Sequence, residues 1–180
     1  MKKILPGLIC LLFSLHSFSQ NYTPIDDGTE IGFLIKNLGL SVNGRFNKIR
    51  GKINFVSENL VQANFSIVVE SATVNTSNAT RDAHLKKEDY FDVAKFPALS
   101  FISTKISKTT TADNYLMEGK IIIKGVTKTV SYNFTANPKP GGYLFAGQFK
   151  LNRRDFGVGS KSLILSDNVT VLLTVFAKKN

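Results

Sequence analysis

Val130-Ser131-Tyr132-Asn133-Phe134-Thr135-Ala136-Asn137 places an apolar side chain at every even position and a polar one at every odd position. Successive side chains of an extended backbone point to opposite faces, so this pattern makes one buried and one wet surface, the mark of a half-buried strand. The same period of two recurs outward in both directions. Toward the N-terminus, Phe65, Ile67 and Val69 share a face. Before them Ile31, Phe33 and Ile35 share another, and Ile53 and Phe55 follow the turn signals Asn43-Gly44 and Arg50-Gly51. Toward the C-terminus, Tyr143, Phe145, Phe149 and Leu151 are opposed by Gln148, Lys150 and Asn152, and Val169, Val171, Leu173 and Val175 close the chain. The six residues from Asn137 to Gly142 (NPKPGG) read as a hairpin loop between two of these segments. About eight such segments, punctuated by Gly, Pro and Asn, predict an antiparallel, all-β domain.

Strands that are apolar on one side must bury that side, either between two sheets or inside a sheet closed into a barrel. Phenylalanine is frequent, at 14 residues, and falls mostly on the inward-type faces. An eight-stranded barrel lined in this way is wide enough for one elongated apolar ligand. Phe33, Ile35, Phe65, Ile67, Phe101, Phe134 and Phe149 are the candidate lining. The same residue types equally suit a filled core, so the alternation leaves both a ligand tunnel and a filled barrel open. A filled barrel would serve as a structural or protein-interaction module of the cell envelope. Residues 76–97 break the strand pattern. Residues 79–87 predict a helical turn or two, capped by Ser77 or Asn78, and Pro97 ends the stretch before the next strand. A connection this long inside one domain predicts a short helical lid over one end of the barrel, contributing Phe91 to the lining.

Composition removes most other functions. Residues 1–19 read as a cleaved export signal: Lys2 and Lys3, then an apolar run from Ile4 to Leu15, then Ser17-Phe18-Ser19 before Gln20. Residues 20–180 then form a single domain, exported to the periplasm or secreted from a bacterial envelope. The signal takes with it Cys10 and His16, which leaves a mature chain with no cysteine and His84 as its one histidine. Thiol nucleophiles, disulfides, cysteine-based zinc sites and any site needing two histidines are excluded, and neither a metal nor a cofactor is expected. No nucleophile elbow accompanies His84, so an enzyme is not expected. Removing Lys2 and Lys3 from 23 basic residues leaves 21 against 13 acidic, a net charge of +8. Scattered basic residues on an exported chain predict no nucleic-acid partner. They suit an anionic membrane surface or, more plainly, a solvated one.

Three blocks narrow the choice. The first combines Arg81-Asp82-Ala83-His84-Leu85, Asp89-Tyr90-Phe91-Asp92-Val93 and Lys95-Phe96-Pro97. The second runs from Gly119 to Lys128 and the third is Asn152-Arg153-Arg154-Asp155-Phe156-Gly157-Val158-Gly159. In order and spacing, from Thr29 to the C-terminus, they resemble the YceI-like family of polyisoprenoid-binding proteins. Leu38-Gly39 and Val42-Asn43-Gly44-Arg45-Phe46 match that family's first hairpin. The resemblance implies an extended eight-stranded antiparallel lipocalin-like β-barrel with a long apolar tunnel. It also implies an exported, non-catalytic protein that binds a polyisoprenoid or similar lipid such as an isoprenoid quinone, often as a homodimer. Family members commonly carry an Asp and a His-Ser pair entering the first strand. Here Asp26-Asp27-Gly28-Thr29-Glu30 has no histidine, so a head group contacted there would be handled differently.

The polar candidates are Arg81, His84 and Arg154, grouped on the irregular stretch and on the loop after a strand. Arginine presents a planar fork of donors to a phosphate or carboxylate head at the tunnel mouth. Structural pairs, Arg81 with Asp82 and Arg154 with Asp155, are the competing reading, and a satisfied half-buried imidazole is that for His84. Gly125, Gly157 and Gly159 are expected to supply turns with positive φ and not a phosphate cradle.

Overall fold

In the computed structural model, which describes residues 20–180, the alternating segments become ten strand pieces of one antiparallel sheet. They are β1 (Asn21–Pro24), β2 (Glu30–Asn37), β3 (Leu40–Phe46), β4 (Arg50–Asn54), β5 (Asn64–Glu70), β6 (Ala98–Lys108), β7 (Asn114–Ile123), β8 (Val126–Lys139), β9 (Gly142–Asn152) and β10 (Leu165–Lys179). The expected export signal lies outside the described residues.

The ten pieces make eight staves. β1 and β2 lie one after the other along the same edge of β10, and opposite them β4 pairs with β1 and β3 with β2. Each of these two staves is a single strand broken by a bend, at residues 25–29 and 47–49. Asp26 stitches the bends together: its Oδ1 accepts the Ile49 N–H at 2.9 Å. The break also strands the Phe176 N–H, which donates to Thr29 Oγ1 at 3.0 Å. Pairing of β1 with both β4 and β10 closes the ring.

Turn chemistry sets the hairpins. Leu38 and Gly39 join β2 to β3 with φ of 52° and 77°, and Lys124 and Gly125 join β7 to β8 with 50° and 74°. Positive φ at both central residues matches the right-handed twist of the flanking strands. The β8–β9 loop is tighter than its sequence suggests, since Pro138 already pairs with Tyr143 and only Pro140 and Gly141 turn.

Asn43-Gly44 and Arg50-Gly51, expected as turns, lie instead inside β3 and β4. Their glycines answer to close approach. A Cβ on Gly44 would stand 2.1 Å from Cζ of Phe33, its partner across the hairpin, and one on Gly51 would stand 2.0 Å from the Ser66 carbonyl oxygen.

One α-helix occurs among the described residues, α1 (Ala79–Leu85), and Asn78 caps it by accepting the Arg81 N–H at 2.9 Å. With residues 86–97 it forms the expected lid. The three sequence blocks meet here. Lys124 Nζ donates to the carbonyls of Glu88 (2.6 Å) and Gly157 (2.9 Å), and the Gly159 N–H donates to the Asp89 carbonyl at 2.7 Å. Gly125, Gly157 and Gly159 all have positive φ, as expected of turns. The blocks therefore fasten lid to barrel.

Candidate lipid chamber

The barrel interior has two unlike halves. At the end holding the β8–β9 turn, Phe55 is 1% exposed and meets Phe65, Tyr115, Phe134, Tyr143 and Phe145 edge to face, with ring centroids 5.2–6.4 Å apart. Interlocked rings of this kind leave no lumen. At the lid end the rings lie along the wall. Phe33 covers Gly44, and Phe101 covers Gly119, where a Cβ would stand 2.4 Å from Phe101 Cζ. A ring laid flat on a glycine projects little into the interior, and a chamber of about 500 Å³ remains.

The chamber brings together most of the residues expected to line it. Phe33, Ile35, Ile67, Phe101 and Phe149 form its wall. Phe65 and Phe134 form its floor, where they belong to the aromatic plug, and Phe91 descends from the lid. Arg81 and His84 also border it. Arg154 does not: its guanidinium points outward and pairs with Asp167 at 3.2 Å. The neighbouring Arg153 turns inward instead, because the 3-10 turn of Arg153–Phe156 rotates adjacent side chains apart.

Neither adjacent Arg-Asp pair forms. Arg81 donates from Nε to Thr76 Oγ1 (2.7 Å) and from Nη2 to the Thr76 carbonyl (2.8 Å). Asp82 accepts from the N–H and hydroxyl of the same Thr76, so both residues grip the start of the lid. The His84 ring meets Tyr90 edge-on at 4.9 Å.

Two polar residues escaped the sequence reading. Arg153 is 4% exposed and borders the chamber. It donates to the carbonyls of Val158 and Ser166, both at 2.9 Å, and pairs with Asp167 at 2.9 Å. Those carbonyls and the carboxylate satisfy a charge that would otherwise be costly to bury. Tyr132 stacks on Phe149 with centroids 4.8 Å apart, inside the chamber wall. Among the described residues its hydroxyl has no hydrogen-bond partner, and burial raises the phenol well above its ordinary pKa. The chamber wall therefore carries a neutral donor in addition to the charged and polar groups of Arg81, His84 and Arg153 that border it. The sequence signal for Tyr132 was its place on the inward face of 130–137; for Arg153 there was none to separate it from Arg154.

Among the described residues no cluster of His, Cys, Asp and Glu could hold a metal ion, and no helix is long and apolar enough to cross a membrane. A family model described as the YceI-like domain matches residues 22–177. The chain is 32% identical over 152 residues to a UPF0312 protein of Yersinia enterocolitica, covering 81% of this chain and 78% of that one. Burkholderia cenocepacia BcnA superposes with a TM-score of 0.79 at 21% identity, over 83% of this chain and 96% of BcnA. A polyisoprenoid binding domain from Saccharophagus degradans, implicated in plant cell wall breakdown, does so with 0.72 at 12% identity, over 88% and 98%. At such identities these two structures speak for the fold.

Proposed function

The chain belongs to the YceI-like family, and from that premise we propose that it is a non-catalytic carrier of one long apolar lipid, held in the chamber at the lid end. The observation that carries the reading is the hollow itself. A barrel selected only for stability would gain by filling it, since buried apolar surface is worth about 25 cal/mol per Å². Here Gly44 and Gly119 instead hold two phenylalanine rings against the wall. The solved Saccharophagus degradans domain, described as polyisoprenoid binding, supports a prenyl chain as the cargo.

Each methylene that leaves water contributes about 0.8 kcal/mol, so affinity rises with chain length until the chamber is full. Arg81 and His84 at the lid are the polar groups offered to a head group, and the Tyr132 hydroxyl is a donor for an oxygen carried further in. The basic start and apolar run of residues 1–19, read as an export signal, support a periplasmic or secreted site of action.

The test is native mass spectrometry of the protein purified from its own host's envelope, followed by solvent extraction and lipid mass analysis. A one-to-one lipid adduct is expected, and the extracted mass separates a prenyl chain from a quinone or a fatty amide. A clean protein mass, with no uptake of added prenyl lipids, would sink the proposal.

A further inference from the structure

Large apolar side chains that face water are scattered singly over most of this surface, as on any protein. At one place they gather. Leu38 (69% exposed) and Leu40 (72%) stand on the β2–β3 turn, beside Leu163 (101%) and Ile164 (54%) on the loop before β10. The Leu38 N–H donates to the Ile164 carbonyl at 2.8 Å, which fixes the two loops together as one tip.

The tip departs from local preference. Leu38 has φ of 52°, in a turn position that favours Asn, Asp or Gly. A leucine there strains the backbone while leaving its side chain in water, so folding does not account for it. The tip is also the rim of the chamber, because Asn37, Val42, Lys161, Ser162 and Ile164 border the cavity. Its charge is one-sided. Residues 36–41 and 159–164 contain Lys36 and Lys161 and no acidic side chain, and the nearby Asp167 is engaged by Arg153 and Arg154.

We propose that this tip is a membrane-docking site: Leu38, Leu40, Leu163 and Ile164 enter an anionic bilayer surface, Lys36 and Lys161 meet its headgroups, and the chamber mouth opens onto the lipid. Apolar side chains flanked by two lysines, in segments without carboxylates, match that surface in both chemistry and charge. The continuity of tip and rim gives the docking a purpose, since a chain passing between bilayer and chamber need not cross water. This rests on the carrier function proposed above.

The test is flotation with vesicles of equimolar phosphatidylcholine and phosphatidylglycerol, alongside uptake of a prenyl alcohol delivered from detergent micelles. The Leu38→Asn/Leu163→Ser double variant alters no chamber residue and relieves the turn. It should lose about tenfold in vesicle partition, with unchanged micelle uptake and a melting temperature no lower than that of the unmodified protein. Lys36→Glu should abolish the preference for the anionic lipid. Equal partition of the double variant and the unmodified protein would overturn the docking site, as would an unmodified protein that takes up lipid but never floats. An unmodified dimer that becomes monomeric in the double variant, with partition unchanged, would also overturn it, by making the tip a contact between two copies. If neither protein takes up prenyl alcohol yet partition still falls, docking stands and the carrier function fails.

Discussion

The plugged and hollow ends of this barrel are built from the same residue types. Both are lined by phenylalanine and tyrosine on alternating strand positions, and both close over the same run of β6 to β10. They differ in what each ring rests on. Phe55 stands among other rings and is gripped on its edges, whereas Phe33 and Phe101 lie on backbone that has no side chain. Lumen is therefore decided less by the aromatic residues than by two glycines across from them. The plug supplies a rigid packed core for a chain without disulfides, and that core allows the other half to remain empty.

The contrast can be broken from either side. Phe55→Ala should have the largest effect, a loss of about 3–5 kcal/mol in denaturant unfolding, because its rotation-locked neighbours cannot collapse into the void. Uptake by the folded fraction should survive; a loss of uptake at unchanged stability would mean that the two ends are not separate. Gly44→Ala forces the Phe33 ring off the wall. It should cost about 1–3 kcal/mol and lower lipid uptake about tenfold, by filling the chamber from within. Undiminished uptake in that variant would show that the flat ring is not what keeps the lumen.

Smaller changes probe the lid and the chamber wall. Asn78→Ala removes the cap of α1 and should cost about 1 kcal/mol, read as faster amide exchange in residues 79–85 with the β6–β10 amides unchanged. Uniform acceleration across the barrel would mean that lid and barrel open together. Tyr132→Phe should be nearly silent at neutral pH, within about 1 kcal/mol, since the lost hydroxyl leaves no partner behind. Its effect emerges in alkali. Because the folded phenol has its pKa raised, its contribution is intact below the ordinary phenol pKa of about 10 and declines above it, where the unfolded chain ionises first. The variant should decline less steeply there, though still somewhat, because burial also raises Tyr22 and Tyr115. Identical alkaline declines would place the Tyr132 hydroxyl in water.

Much of the barrel was legible because alternation is a local signal. Residues 130–137 have the same period in any antiparallel sheet, and the Asn78 cap needs only its own helix. Asn43-Gly44 misled for the same reason: its local chemistry is that of a turn, and what keeps it extended is Phe33, a neighbour only once the hairpin has its register. The breaks in the first two staves depend on Asp26 reaching Ile49, which no period reveals. Nothing in the sequence ranks Arg154 against Arg153, because which guanidinium turns inward is settled by the 3-10 turn and by carbonyls that β10 and residue 158 supply. Filled against hollow was illegible as a matter of residue type, and became visible as ring upon glycine.

The closure of the ring has a kinetic consequence. Tyr22 pairs with Lys179, and Thr23 Oγ1 hydrogen-bonds the Asn180 side chain across 157 positions of sequence. Every hairpin from β6 to β10 can zip from its own turn, whereas this last seam must wait for a search over the whole domain. Folding should therefore run on the slow, non-local side for a domain of this size. Until the seam forms, the lone edges of β1 and β10 are open to pairing with another copy of the chain. The interval before closure is thus the chain's period of greatest exposure to aggregation.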